Sequence, residues 1–204
     1  MNYEKLASKK VVKKVVEELC KRNVEAFTVE NGQEAFSKIK ELIPEGASVM
    51  NGSSVTLEQI GFVDYLKGAE HGWNNLHAAI VAEKDPVKQS ALRKQAILSE
   101  YYLGSVHALA ETGQFIIASN SGSQLPHIVF SSPNLIFVVS TKKIVPSLDD
   151  AFKRLEEHVI PLEDKHMQAK YGVGTFPSKV LIFNAEKQSK RKVRMILVNE
   201  DLGF

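Results

Sequence analysis

Residues 3–52, YEKLASKKVVKKVVEELCKRNVEAFTVENGQEAFSKIKELIPEGASVMNG, decide the fold class. Apolar side chains recur at helical spacing in the first part of this stretch, from Leu6 through Val12 and Val16 to Leu19, a period that predicts an amphipathic helix. The predicted elements are a helix at 3–22, a strand at 24–30, a helix at 32–43 and a strand at 47–52. Helices that alternate with strands imply crossover connections, so this order predicts a mainly parallel sheet.

The rest of the chain adds more of both element types. A long helical pattern over 85–104 is followed by the short β-type runs VHALAET, QFIIAS and NLIFVVS, and later by an amphipathic helix at 148–160 and a second helix at 161–172. Two final strands are predicted at 179–184 and 193–198. No linker or repeat interrupts the chain. We therefore expect one α/β domain over 1–204, with a mainly parallel sheet flanked by helices, an N-terminal helix and a small β-rich lobe.

Composition excludes several classes of protein. The 204 residues contain 44% hydrophobic residues, and a chain of this size buries roughly 70% of its unfolded surface without disulfides. The single cysteine, Cys20, cannot form an internal disulfide, which favours a reducing compartment. The charged start lacks an apolar core, and no stretch approaches the about 18 apolar residues that span a bilayer. We therefore expect a cytoplasmic protein that does not bind a membrane.

The charge distribution does not predict a nucleic-acid partner. The net charge is +2, from 26 basic and 24 acidic residues. The densest basic run, residues 187–192, separates the two apolar runs KVLIF and VRMILV, and no aromatic residues interleave with its charges. This pattern indicates a solvated hairpin loop between the last two strands.

The first candidate site is MNGSSVTLEQIG, residues 50–61, where a buried strand runs into a glycine turn and then a helix. Free backbone N–H groups and hydroxyls at such a turn favour an anion. The alternative is that Ser54 or Thr56 caps the helix, with Glu58 or Gln59 completing a capping box. The ligand-binding candidates from this segment are Asn51, Gly52, Ser53, Ser54 and Thr56.

The second candidate is GSVHALAETGQFIIASNSGSQLP, residues 104–126. If 105–111 is a strand, His107 and Glu111 share one face and are candidates for acid/base catalysis. The loop after the next strand consists almost only of Ser, Asn and Gly, which lets a ligand approach the backbone closely. The alternative is a β-hairpin followed by a second tight turn. The ligand-binding candidates from this segment are Gly104, Ser119, Ser121, Gly122 and Ser123.

Other features are weaker. Lys142 and Lys143 follow the apolar strand IFVVS, where a parallel sheet presents its carboxyl edge, and Lys142 is taken as the anion contact. The cluster between His71 and His77 is either a lid or a packed surface loop. His158 and His166 lack the spacing and acidic neighbours of a metal centre, so neither a metal nor another cofactor is predicted.

The segments NGSSVTLEQIG, SEYYLGSVHALAETGQFIIASNSGSQLP, NLIFVVSTKKIVPSLDDAFKRL and ILVNEDLGF together resemble a stand-alone LUD (lactate utilisation) domain protein. This resemblance implies a Rossmann-like fold similar to the sugar-phosphate isomerase, glucosamine-phosphate deaminase and CoA-transferase group. In that wider group the segment similar to GSVHALAETG carries an aspartate where this chain has His107. The departure argues against isomerase chemistry.

Two functions follow as expectations. The first is binding of a small anionic metabolite, either a hydroxy or keto acid or a phosphorylated compound, with Glu111 as base or nucleophile and His107 orienting it. The second is a non-catalytic accessory subunit of a lactate-oxidising complex, with an iron–sulfur partner protein that the resemblance implies. A homodimer is expected because closed twofold assemblies are the commonest kind.

Overall fold

The computed structural model describes residues 1–68 and 70–204. Its helices are α1 (Lys9–Lys21), α2 (Gly32–Leu42), α3 (Val55–Gln59), α4 (Phe62–Lys67), α5 (Leu76–Ala82), α6 (Pro86–Gln95), α7 (Leu148–Arg154) and α8 (Ile160–Tyr171). Its strands are β1 (Val24–Val29), β2 (Ser48–Asn51), β3 (Asn74–Asn75), β4 (Tyr101–Gly104), β5 (Ala108–Ala110), β6 (Phe115–Ser119), β7 (Asn134–Ser140), β8 (Ile144–Val145), β9 (Lys179–Phe183) and β10 (Lys192–Val198).

The strands form two sheets. The larger sheet has the order β1-β10-β7-β4-β2-β3, and every neighbouring pair in it is parallel. The smaller sheet has the order β8-β5-β6-β9 and is mixed, because β5 pairs with β8 in parallel and the other pairs are antiparallel. The predicted α/β class, the parallel sheet, the N-terminal helix and the small β-rich lobe are confirmed.

The larger sheet is buried on both faces, and its central strands are apolar at almost every position. Side chains of β7 alternate between two clusters, with Leu135, Phe137 and Val139 on one face and Ile136 and Val138 on the other. The first face packs against α1 and the smaller sheet, and the second packs against α2, α3 and α4. Apolar burial on both faces accounts for the continuous hydrophobic runs in the sequence.

The predicted helix over 85–104 is wrong in its second half. Helix α6 ends at Gln95, a short 3-10 turn follows at Ala96–Leu98, and the chain then enters β4. Tyr102 and Leu103 lie fully buried in β4 between β2 and β7. Sheet pairing and burial at the centre of the sheet therefore outweigh the helical period of this run.

The predicted hairpin around residues 187–192 is also wrong. Strand β9 belongs to the smaller sheet and β10 to the larger, so the segment between them connects two sheets. Arg191 in this segment is buried, and its guanidinium lies 3.0 Å from the Glu186 carboxylate. The same guanidinium donates hydrogen bonds to the carbonyl oxygens of His127, Ile128, Val129 and Ser132. Arg191 therefore ties the start of β10 to the segment after β6.

No helix among residues 1–68 and 70–204 is both long and apolar enough to cross a membrane.

Replacing Arg191 with alanine is expected to lower the free energy of unfolding by about 3–5 kcal/mol, because it leaves a buried carboxylate and several carbonyls without their donor. Urea denaturation followed by circular dichroism measures this change. The control is Lys190→Ala, at an exposed neighbouring position. Equal losses in the two variants would contradict a structural role for Arg191.

Candidate functional site

A cavity of about 690 Å³ opens at the carboxyl ends of β2, β4 and β7. Ligands of open parallel sheets bind outside this edge. The lining includes residues 50–56 at the end of β2 and beyond it, residues 105–107 after β4, residues 118–121 and 123–124 at the end of β6 and beyond it, and Lys143 after β7. The two sequence segments that pointed to a site therefore meet in space.

The loop after β2 begins at a glycine that has no room for a side chain. A Cβ atom on Gly52 would lie 2.3 Å from the Tyr102 hydroxyl and 3.0 Å from Gln124 Oε1. The Gly52 N–H donates to the carbonyl of Leu103 at 3.0 Å, which fixes the loop to the end of β4. Glycine is thus needed here for close approach and not for an unusual backbone angle.

Ser54 in this loop both caps a helix and lines the cavity, so the two interpretations are compatible. Ser54 is the N-cap of α3, and its Oγ accepts a hydrogen bond from the Leu57 N–H at 3.3 Å. Glu58 Oε1 instead lies 3.0 Å from Lys170 Nζ, so Glu58 does not complete the predicted capping box. Because α3 has only five residues, its dipole contributes little to the cavity. Side chains, rather than a helix end, carry the chemistry of this site.

Lys143 is the buried cation of the cavity. Its side chain comes from the 3-10 turn that follows β7, and the residue is 4% exposed. Lys143 Nζ donates to Thr56 Oγ1 and to Ser105 Oγ, both at 3.1 Å. Among the described residues no carboxylate lies within ion-pair distance of this amine. Burial, helped by the charges of Arg154 and Lys142, lowers the pKa of Lys143 to about 7.

Lys142, the lysine predicted as the anion contact, does not line the cavity. Its Nζ lies 2.8 Å from Glu4 Oε2 and also pairs with Asp201, and its side chain is 3% exposed. Consecutive residues of a 3-10 turn point in different directions. The turn therefore places Lys142 beside two carboxylates outside the cavity. It places Lys143 in the cavity lining without a carboxylate partner among the described residues.

The segment after β10 closes the cavity over Lys143. Gly203 has φ +65°, and a Cβ atom there would lie 2.2 Å from Thr56 Oγ1 and 2.9 Å from Lys143 Nζ. The Gly203 N–H donates to Gln59 Oε1 at 2.6 Å, and Phe204 also lines the cavity. Only glycine fits this backbone and this contact distance.

His107 lines the cavity in its neutral form. Its Nδ1 accepts a hydrogen bond from the Ala118 N–H at 3.1 Å, so the ring proton resides on Nε2. Burial lowers the pKa of His107 to about 3, and the nearby charges of Lys143 and Arg154 act in the same direction. His107 is therefore uncharged near pH 7, with Nε2–H as a hydrogen-bond donor.

The predicted pair of His107 and Glu111 is not brought together. Strand β5 covers only Ala108–Ala110, so the two residues flank opposite ends of it, roughly 13 Å apart at the usual rise per residue. Glu111 lies outside the cavity, in a salt bridge of 2.9 Å with Lys14 on α1. Glu111 therefore does not share the cavity with His107, and its role as base or nucleophile stays a prediction.

The serine-rich loop contributes hydroxyls that are partly engaged with each other. Ser119 Oγ accepts from the Gly122 N–H at 2.9 Å, and Ser121 Oγ donates to Ser123 Oγ at 3.0 Å. Of the predicted residues, those lining the cavity are Asn51, Gly52, Ser53, Ser54, Thr56, His107, Ser119, Ser121 and Ser123. Those that do not line it are Gly104, Glu111, Gly122 and Lys142. Gly104 packs inside β4 near Phe137, and Gly122, with φ +84°, turns the loop near Lys179.

Several lining residues had no clear signal in the sequence. His127 stacks on Tyr102 with ring centroids 4.7 Å apart, and burial lowers its pKa to about 4. Arg93 and Glu163 lie on helices whose polar positions resemble ordinary solvated faces. Of the predicted lid cluster, His77 lines the cavity, whereas Trp73 is buried in the core. In the sequence, Tyr102 lies in an apparent helix, and Arg93 and Glu163 lie on apparently exposed helix faces. None of the three therefore indicates a cavity.

No group of three or more His, Cys, Asp or Glu side chains in the described part of the chain is arranged to hold a metal ion.

Replacing Lys143 with methionine is expected to change how stability depends on pH. Between pH 7 and about 10.4 the unfolded chain binds a proton at Lys143 that the folded chain does not, so the free energy of unfolding of the wild type rises with pH across this window. The methionine variant lacks this increase. Urea unfolding of both proteins at several pH values measures it, and parallel curves would contradict the lowered pKa.

Comparison with known proteins gives the family. The LUD domain family profile matches residues 12–198. A solved structure described as a DUF162 family protein from Deinococcus radiodurans is similar in fold, with a TM-score of 0.54 and 9% sequence identity over 95% of this chain and 98% of that chain. No match is found among curated proteins. The chain belongs to the LUD domain family.

Proposed function

We propose that the cavity binds a small anionic metabolite, preferentially a hydroxy or keto acid. The observation that carries this proposal is the Lys143 amine, which lies at the base of the cavity between two hydroxyls and has no carboxylate partner among the described residues. A carboxylate ligand would supply that partner. Buried charges in proteins are normally paired, and an unpaired one in a cavity is a functional-site candidate.

The charges around the cavity support an anionic ligand. Arg93 lines the cavity with an exposed guanidinium, and Lys143 lies deeper. Glu163 is the one acidic residue in the described lining, against the two basic side chains of Arg93 and Lys143, and burial raises its pKa. The local field therefore favours a negatively charged guest.

Polar groups that line the cavity favour a ligand with an oxygen next to its carboxylate. Ser53 is exposed to the cavity, and the Ser121 and Ser123 hydroxyls lie on the facing loop. Asn51 is 6% exposed, and its Oδ1 has no hydrogen-bond partner within the described residues. A 2-hydroxy group could donate to this oxygen. Such a ligand accords with a family named for lactate utilisation, and a phosphorylated compound is the other anion that these hydroxyls could hold.

Thermal denaturation with and without ligand tests the proposal. Lactate, pyruvate and a sugar phosphate are compared at saturating concentration, where a bound ligand at about a hundred times its Kd stabilises the fold by about 2.7 kcal/mol. We expect one class to raise the Tm of the wild type, and Lys143→Met and Ser53→Ala to reduce this increase. Ser53 is preferred to Ser54 because Ser54 caps α3.

The pH dependence sharpens this test. Binding an anion stabilises the ammonium form of Lys143, so affinity is greatest below pH 7 and weakens as the pH rises through about 7. Ser189→Ala, at an exposed position far along the chain, is the control and should bind as the wild type does. No stabilisation by any of the three compounds would contradict the proposal.

An accessory-subunit role is the second candidate, and one surface favours it. Leu98 is 75% exposed and Phe130 is 73% exposed, on two short helical turns that pack against each other. Exposed apolar side chains grouped in this way are typical of protein interfaces. The implied partner is an iron–sulfur protein of a lactate-oxidising complex, and a homodimer through this surface is the competing assembly.

Co-purification from the native cells distinguishes these roles. An iron–sulfur protein that is recovered with the wild type and lost with Leu98→Glu/Phe130→Glu supports the accessory subunit. The control is Val180→Glu, at an exposed apolar position of the smaller sheet. Recovery of this chain alone counts against that role, and its size in solution then reports whether it forms a dimer.

A further inference from the structure

We propose that Lys143 forms an imine with the carbonyl carbon of a small 2-oxo acid bound in the cavity. This inference rests on the proposed function, because the acid must be bound in the cavity with its carbonyl carbon beside the amine. It goes further by naming a covalent step, the residue that performs it and the ligand class that it requires.

The contacts of Lys143 suit a neutral, nucleophilic amine. A neutral amine has two N–H groups and one lone pair. The two hydroxyl oxygens of Thr56 and Ser105, each 3.1 Å from Nζ, accept both N–H groups and leave the lone pair free. Lys142, which is equally buried, has two carboxylate partners instead. The adjacent lysines therefore have opposite environments.

The surroundings also favour the neutral amine. Lysine nucleophiles in enzymes are activated by desolvation and by neighbouring cations, and Lys143 has both. The pKa of Lys143 is lowered to about 7 by burial and then by Arg154 and Lys142, so about half of its amines are neutral at pH 7. An ordinary lysine is neutral in roughly one chain in 2,500 at that pH.

The closure of the cavity over the amine protects the imine from hydrolysis. Segment 203–204 covers the amine, and the Gly203 backbone lies against both Thr56 and Lys143. Bulk water that would hydrolyse an imine therefore has limited access to Nζ. The cavity, of about 690 Å³, has room for a small acid, and its lining includes Asn51 and the serines of the serine-rich loop.

The step balances without an added reagent. The Lys143 lone pair attacks the carbonyl carbon, an N–C bond forms, and the carbonyl π electrons move to oxygen, which takes up a proton to give a carbinolamine. The nitrogen gives up one proton as the carbinolamine forms and its second afterwards; the hydroxyl takes up a second proton, the C–O bond breaks, and the oxygen leaves as water as the C=N bond forms. One amine and one ketone give one imine and one water. The hydroxyls of Thr56 and Ser105 are placed to pass protons from the nitrogen.

Borohydride trapping tests the inference. The full-length protein is incubated with pyruvate, reduced with sodium borohydride, and examined by intact-mass measurement and peptide mapping. We expect one addition per chain, with a mass equal to pyruvate less one oxygen atom, on Lys143. Modification should fall by at least about tenfold in Lys143→Met, because ordinary lysines are so rarely neutral, and should persist in Lys142→Arg. Lactate, which has no carbonyl, should give none.

The outcomes separate this inference from the function on which it rests. Stabilisation by pyruvate without trapping would overturn the imine and leave anion binding in place. No stabilisation by lactate, pyruvate or the sugar phosphate, together with no trapping, would overturn both. Modification of other lysines but not Lys143 would also overturn the imine. If Lys143→Met fails to fold, the peptide map of the wild type decides by itself.

Discussion

Burying an amine without a counter-ion costs free energy, since the charged form loses its hydration and gains no partner. Lys143 bears this cost between the hydroxyls of Thr56 and Ser105. Thr56 lies in the first turn of α3, which follows β2, Ser105 comes directly after β4, and Lys143 follows β7. The three parallel neighbours β2, β4 and β7 therefore converge on one atom, Nζ, and the parallel order of the sheet is what brings these distant parts of the chain together.

The surrounding packing keeps that arrangement in place. The close approach of the Tyr102 hydroxyl to Gly52 fixes the loop after β2, and Gly203 presses its backbone against Thr56 and the amine. Behind the cavity, Arg191 anchors the carbonyls of residues 127–132 and so supports His127, which stacks on Tyr102. Gly52 and Gly203 thus allow the closest contacts, and the buried Arg191 supports the neighbouring segment. Together they maintain a polar cavity beside an apolar core.

Much of this arrangement could be predicted from the sequence, because two periods dominate it. The helical spacing before Asn23 and the apolar runs of the central strands gave the parallel sheet, and the glycine and serine segments pointed to two walls of the cavity.

Local sequence patterns gave wrong predictions where pairing between distant strands decides the structure. Residues 101–104 read as helix but pair in the sheet, and the last two strands look like a hairpin but join different sheets. The direction in which Lys142 and Lys143 point depends on a single 3-10 turn, and the opposite ends occupied by His107 and Glu111 depend on a strand of three residues. Residue spacing in the sequence predicts neither the direction of the two lysines nor the separation of His107 from Glu111. The likeness to the isomerase and CoA-transferase group stays a prediction.

An NMR titration of the Lys143 side chain, with isotopically labelled lysine and Lys143→Met for assignment, tests the central claim most directly. We expect a pKa near 7 for Lys143 in the free protein, because burial and neighbouring cations disfavour the ammonium, and a higher value when an anion occupies the cavity. A pKa near the about 10.4 of an ordinary lysine in the free protein, unmoved by ligand, would contradict it.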